Sequence, residues 1–344
     1  MHSLRISTLN VWAMPAIIST HVAERSPAIV QRVAEQSVDV AAFQEVWTPQ
    51  ARRLLVEQGQ RVGLVPAWSA DKSPGGLFVL TRVPVRRTGF TRYVLAGLPQ
   101  RLQHADYYGR KGFAEVELET ADGPLVLIVT HLHARYSDPG EYDEYLGMRA
   151  AQVAQLAAAI DAFKAPCVAV GDFNFREDGP EYHALTRLTG LVDAAADWDH
   201  RQPTSVAGNP YHGVGHTAEE RIDYVFARSG VEVASVRRDF DQPVVFAGEP
   251  GAYSDHAGLL AEITVSAGSS QPTSAEPVAP DPIPQDPILR DPASVGLLAT
   301  LMERGRTEAR KRKHNQRRWG VAVLVAAALG HRPLRGRATP IGVG

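Results

Sequence analysis

The chain reads as an α/β sandwich on three observations. Apolar strand-like runs alternate with helix-like segments in two successive units, short polar clusters gather at the ends of those runs, and 44% hydrophobic residues over 344 positions suffice for a large core. In open α/β sheets the chemistry sits at the ends of strands. The polar clusters are therefore the candidate functional residues.

In chain order, residues 4–11 form the first expected strand, which delivers Leu9-Asn10. Ser26-Pro27 has the form of a helix N-cap followed by proline at the first helical position, ahead of Ile29, Val30, Val33 and Ala34 at helical spacing. Residues 38–43 form the second strand and deliver Gln44-Glu45. Gly75-Gly76 leads into a strand over 77–80 and the turn Thr81-Arg82-Val83-Pro84, and the loop 97–112 carries Asp106-Tyr107-Tyr108-Gly109-Arg110-Lys111. The second unit is the run 125–130 with Thr130-His131-Leu132-His133, an alanine-rich helix over 141–163, and the run 166–171 that ends in Gly171-Asp172-Phe173-Asn174. Residues 222–226 and 259–265 are further strands, beside Arg221-Ile222-Asp223-Tyr224 and Ser254-Asp255-His256. If 125–133 is one strand, His131 and His133 share a face, because side chains alternate with period two.

The single cysteine, Cys167, excludes an intrachain disulfide and reads as a small buried hydrophobe. The first motif begins almost at Met1, leaving no charged and apolar leader of the secretory type. From residue 301 onward there are 11 Lys+Arg against 2 Asp+Glu, which leaves residues 1–300 with 25 against 36 and a formal charge of −11. An acidic body argues against nucleic acid as a partner, since phosphate neutralisation supplies most of that affinity.

Three segments follow from composition: a catalytic domain over 1–266, a linker over 267–293 with seven prolines, and a tail over 294–344. The tail places a basic stretch over 304–318 against the apolar run 319–330, too short to span a bilayer as a helix but suited to an interfacial anchor on an anionic membrane; the alternative is a solvated basic tail with a short helix docking on the domain. The expected location is cytoplasmic, peripheral on the inner membrane face, with no obligate protein partner.

An Asp-x-Asn after a strand is more often a turn than a site. Taken together and in this order, however, the clusters resemble the endonuclease/exonuclease/phosphatase superfamily, the DNase-I-like magnesium phosphoesterases. Leu9-Asn10-Val11-Trp12, Glu45-Val46-Trp47, Thr130-His131-Leu132-His133-Ala134 and Ser254-Asp255-His256 resemble its neutral sphingomyelinase branch. The resemblance spans residues 4–263 and implies a four-layered α/β sandwich of two packed mixed sheets flanked by helices.

It also implies roles. Hydrolysing a phosphodiester needs a cation on the phosphoryl oxygens and a base for water, and carboxylate and amide oxygens favour a hard ion, magnesium or alternatively manganese. Glu45 matches the direct metal ligand, with Asn10 beside it and Asp255 facing the metal region. His256 matches the general base and Asp223 the acid that orients it. His131 matches the phosphate-contacting histidine, with His133 as support. Asn174 donates to the phosphoryl group, and Asp172 orients water or assists the leaving oxygen; whether His256 or Asp172 is the base stays open. Lys111, Asp106 and Arg82 are the expected substrate-binding residues, Lys111 as a mobile charge for substrate phosphate.

The activity so implied is phospholipase-C-type hydrolysis of sphingomyelin or a related choline phospholipid. The alternatives are a nuclease, a soluble phosphatase or inositol-phosphate phosphatase on the same fold, and a membrane-bound binding module with an inert site. A zinc site starting at His131-x-His133 would need Asp-His next, where the chain has Arg135-Tyr136. Membrane-spanning helices and an exposed apolar hairpin, both found in relatives, are not expected here, so substrate access differs.

Overall fold

The computed structural model describes residues 2–98, 101, 104, 106–137, 142–196, 202–212, 219–266, 291–308 and 310–311. The strands and helices follow in the order β1 (Ser3–Ala13), α1 (Val22–Glu35), β2 (Val40–Val46), α2 (Pro49–Arg61), β3 (Val65–Pro66), β4 (Phe78–Thr81), β5 (Val85–Arg92), α3 (Asp106–Gly109), β6 (Gly112–Thr120) and β7 (Gly123–His131). After them come α4 (Leu146–Ala162), β8 (Cys167–Asp172), α5 (Pro180–Thr189), β9 (Val192–Asp193), β10 (Asp223–Ala227), β11 (Val231–Asp239), β12 (Val244–Phe246), β13 (Glu249–Gly251) and β14 (Gly258–Val265). A further helix, α6, covers residues 292–308.

Two six-stranded mixed sheets, ordered β11-β14-β1-β2-β4-β3 and β5-β6-β7-β8-β10-β9, pack face to face. The alternation of side chains sorts each strand between two layers. Leu4 and Ile6 of β1, Leu125, Leu127 and Val129 of β7, and Val168 and Val170 of β8 fill the space between the sheets. Their alternates point outward: Leu9 and Val11 meet α1 and α2, while Val126, Ile128, Cys167 and Ala169 meet α4 and α5. This is the expected four-layered sandwich. Burial also pushes the Cys167 thiol up to about 12, as an inert core position requires.

Strand direction decides where the polar clusters go. β1 runs parallel to β2, and β7 parallel to β8, so Asn10, Glu45, His131 and Asp172 all arrive at carboxyl ends on one edge of the sandwich. β10 runs antiparallel to β8 with Asp223 opposite Asp172, and β14 antiparallel to β1, so Asp223 and residues 254–256 enter from the same edge. The close pairing of β7 and β8 requires Gly171, at φ +136°, where a Cβ would lie 2.1 Å from the Thr130 carbonyl.

Three expectations shift. The first helix begins at Val22, not at Ser26; Ser26 Oγ donates to the Val22 carbonyl at 2.7 Å and Pro27 lies inside the helix. Arg25, described below, lies in this first turn. The boundary at residue 294 falls inside α6, which packs on the catalytic domain through buried Leu298 and Leu301, with Gly305 against Gly147 of α4. Most of the expected linker and the apolar run 319–330 lie outside the described residues. Finally, β12 and β13 form a short hairpin on which Val245 is exposed, and Phe246 contacts His21 at 5.8 Å between ring centres. The loop before α1 exposes Ile17 and Ile18. No helix among the described residues is long and apolar enough to cross a membrane.

Candidate active site

Asp172 is the hub of the cluster. Its Oδ2 accepts from Asn10 Nδ2 at 3.0 Å and lies 3.3 Å from His131 Nε2 and 4.0 Å from His256 Nε2; its Oδ1 accepts the Asn174 backbone N–H at 3.0 Å. Burial alone would raise this carboxyl, but His131, His256 and Lys111 outweigh it and hold Asp172 below the usual carboxylate range. His256 Nδ1 meets Asp223 Oδ2 at 2.8 Å, and the Asp223 backbone N–H donates to Thr204 Oγ1. That bond fixes ring orientation and aims Nε2 at the hub. Burial disfavours the imidazolium, yet Asp223, Asp255 and Asp172 raise His256 well above its ordinary value.

Glu45 completes one side, with Oε1 3.8 Å from His131 Nε2. Its backbone adopts φ +61°, rare for glutamate, and Asn174 adopts φ +51°. The turn after Glu45 carries Trp47, whose ring fits only because Gly76 has no side chain: a Cβ there would lie 2.6 Å from it. Ser254 Oγ donates to the Asn10 carbonyl at 2.5 Å and lies 3.0 Å from Asp255 Oδ1, which ties Asp255 to the end of β1.

Lys111 and Asp106 reach this edge but are committed to each other. Lys111, buried, pairs with Asp106 and donates to the Leu132 carbonyl at 3.0 Å, the same oxygen that accepts Asn174 Nδ2 at 3.1 Å. Asp106 also accepts the Ala134 N–H and the Tyr136 hydroxyl. Lys111 is thus a fixed charge behind Asn174, not the mobile one expected. His133 does not share a strand face with His131, because β7 ends at His131; its ring stacks on Tyr145 at 4.1 Å. Arg82 is not brought to the site. β4 runs antiparallel to β2, with Thr81 opposite Val40, so Arg82 leaves at the far edge, 3.8 Å from Asp39.

Sequence reading missed Arg25. Its five N–H groups have five acceptors: the carbonyls of Thr20, Val11, Tyr253 and Trp12 and the Ser19 hydroxyl, at 2.6–3.1 Å. The guanidinium also lies 5.4 Å from the Trp12 ring and 5.3 Å from Tyr211. It joins the segment after Asn10 to the segment before Asp255. No motif marks it, since it sits in an ordinary helical stretch, Ala23-Glu24-Arg25-Ser26.

The donor set fits a hard divalent cation. Glu45, Asp223 and Asp255 are each raised, chiefly by burial, as carboxylates are when buried without enough compensating charge. Asp223 Oδ1 and His131 Nδ1 have no hydrogen-bond partner among the described residues. One tight group, Asp172, Asp223 and His256, offers ligand atoms all within 4.8 Å of one another; the 2.8 Å His256–Asp223 bond gives that pair a second use.

Residues 7–256 match the Endonuclease/Exonuclease/phosphatase family, and the chain belongs to it. It is 30% identical over 283 residues to human Sphingomyelin phosphodiesterase 2, covering 76% of this chain and 64% of that protein. It is 26% identical over 219 residues to Inositol phosphosphingolipids phospholipase C of Saccharomyces cerevisiae, covering 56% and 46%. The chain thus spans less than two thirds of the length of these curated relatives. Among solved structures, Sphingomyelinase C from Streptomyces griseocarneus superposes with a TM-score of 0.57 at 21% identity over 76% of this chain and 99% of that one. D. rerio TDP2 complexed with a single strand DNA product gives 0.61 at 18% identity with the same coverage. These likenesses identify the fold as DNase-I-like.

Proposed function

We propose that the chain is a metal-dependent phosphodiesterase that cleaves phospholipids in the manner of a phospholipase C, with sphingomyelin or a related phosphosphingolipid as substrate. The observation that carries this reading is Asp172 at the centre of Asn10, His131, Asn174 and His256, with Asp223 behind the last. The relatives named for such activities support it.

Glu45, Asn10 and Asp255 would hold magnesium or manganese, which when bound neutralises the phosphoryl oxygens and lowers the pKa of water. Asn174 and His131 then present N–H groups to the phosphate. Asp172, held ionised, orients the attacking water, and His256 in its neutral form takes the proton, its ring steadied by Asp223. As the water oxygen bonds to phosphorus, the P–O bond to the lipid alcohol breaks, and the released alcohol oxygen takes its proton from solvent water.

Exposed Ile17, Ile18 and Val245 on the neighbouring loop and hairpin support access from a lipid surface. Peripheral binding to the inner face of an anionic membrane belongs to the same proposal and rests on the basic segment 304–318. Removing residues 312–344, which spares α6, is expected to weaken sedimentation with anionic vesicles; unchanged sedimentation would remove the anchor.

The test of the activity is phosphocholine release from sphingomyelin in mixed micelles, with magnesium and with EDTA. Magnesium-dependent release supports the proposal. Cleavage of generic phosphodiesters without any lipid turnover would keep the chemistry and reject the lipid.

A further inference from the structure

A cavity of about 350 Å³ opens beside Asn174, between that residue and the N-terminal turns of α4 and α5. Its size falls within the range of small-ligand pockets, about 300–1,000 Å³. Of the residues in the candidate active site only Asn174 lines it, and its walls carry both hydrogen-bond donors, Arg135, Arg149 and Arg176, and acceptors, Asp143, Asp178, Glu181 and Glu220.

Arg149, 2% exposed, donates from Nε to Glu181 at 3.0 Å and pairs through Nη2 with Asp143, while its Nη1 has no hydrogen-bond partner among the described residues. Glu220 Oε1 is in the same condition: Arg135 Nη1 and Arg176 Nη1 stand 3.6 and 3.7 Å away, beyond hydrogen-bond distance. Arg176 spends Nε and Nη2 on Asp178, both at 3.0 Å. Buried polar atoms are nearly always partnered, so an unmatched donor and an unmatched acceptor on the walls of one cavity indicate a ligand that supplies both. Hydroxyl groups do so.

The walls also argue against a quaternary ammonium. Such a cation is held by aromatic faces, and among the described lining residues the only aromatic ring is Phe175, which is buried in the core. Arg135, Arg149 and Arg176 are set against Asp143, Asp178, Glu181 and Glu220 in the lining, so the cavity is polar without a strong net charge.

We infer that this cavity is a subsite for a polyol phosphate, with the phosphate at Asn174 and the hydroxyl-bearing ring against Arg149 and Glu220. The phosphate position rests on the phosphodiesterase reading; binding of the free ligand requires no turnover. The subsite takes the polyol either as the headgroup of a bound lipid or as a free phosphate ester.

The test is calorimetric titration of the full chain, in magnesium, with myo-inositol 1-phosphate, phosphocholine and inorganic phosphate. The expected result is inositol phosphate binding at least tenfold tighter than either of the others, with most of that preference lost in Arg149→Met and Glu220→Gln. Arg149 is buried and its replacement risks the fold, so Arg176→Ala, at a half-exposed edge, is the second variant; it is expected to reduce the preference threefold or more. Equal binding, tighter phosphocholine, or a preference untouched by Glu220→Gln and Arg176→Ala would overturn the inference. Turnover of one ceramide carrying either phosphoinositol or phosphocholine separates the two sources: a tenfold preference assigns the lipid headgroup, and equal or absent turnover beside selective binding assigns the free ester. Absent turnover of both lipids rejects the lipid activity, while the titration alone decides the subsite.

Discussion

The two ends of strand β2 differ in what surrounds their acids. At one end Asp39 pairs with Arg82 across 3.8 Å, both partly exposed, a surface contact of the kind worth about 0–1 kcal/mol. At the other, Glu45, whose side chain is 19% exposed, stands in a group with Asp172, Asp223 and Asp255, against His131 and His256. The first end has its charges matched within hydrated surroundings. The second gathers four carboxylates, of which Glu45, Asp223 and Asp255 are raised by burial while Asp172 is held down by His131, His256 and Lys111, and it does so because β1, β2, β7 and β8 all point there. Strand direction, rather than acid content, separates a surface from a site.

Breaking the site end should have the largest effects. His256→Ala removes the proton acceptor and is expected to lower kcat by about 10²–10⁴-fold. Magnesium is expected to raise the Tm of the wild type, and Glu45→Ala should abolish that rise along with turnover. In Arg25→Lys three donors replace five, loosening the tie between the Asn10 and Asp255 segments; kcat is expected to fall by up to about 10²-fold, since misplacement of about 1 Å costs that much. Loss in Arg25→Met together with partial recovery in Arg25→Lys, at similar Tm, would mark a positioning effect.

Asp223→Asn sharpens the comparison through pH. Asp223 contributes most to raising His256, so the neutral base of the wild type appears only as pH rises well past 6.5. The variant should carry its acid limb of kcat/KM at lower pH, with reduced kcat. An unmoved limb would assign the base to another group.

Much of the site was legible because its residues end strands within short motifs: Asn10, Glu45, His131, Asp172, Asn174, Asp223, Asp255 and His256 meet on one edge. Arg25 was not legible, because its five partners come from residues 11, 12, 19, 20 and 253, and only the folded chain brings the last to the others. Arg82 misled for a related reason: its glycine-led strand was visible, but its antiparallel direction was not. Residues 294–308 looked like tail by charge, although Leu298 and Leu301 are the apolar stripe of a docked helix. Deleting from residue 294 would remove both and uncover the apolar face of the domain they cover, a loss of about 1.5–3 kcal/mol for each.

A smaller effect concerns stability. Burial holds His133 down to about 4, against about 6.5 in the unfolded chain. The unfolded state therefore binds the extra proton first, so the neutral-His contribution is complete above pH 6.5 and declines as pH falls toward 4, by roughly 3 kcal/mol in all. Denaturant midpoints of His133→Asn should lack this slope. The smallest expected effect is at the far end of β2, where Arg82→Ala should change turnover by less than twofold.

Hydrolysis of a generic phosphodiester, bis(p-nitrophenyl) phosphate, by wild type, His256→Ala and Arg82→Ala, each with magnesium and with EDTA, separates the two ends of β2 by their chemistry. Turnover by wild type and Arg82→Ala is expected in magnesium alone, with at least a hundredfold loss in His256→Ala. Equal rates in EDTA, or full activity in His256→Ala, would contradict the assignment of this site.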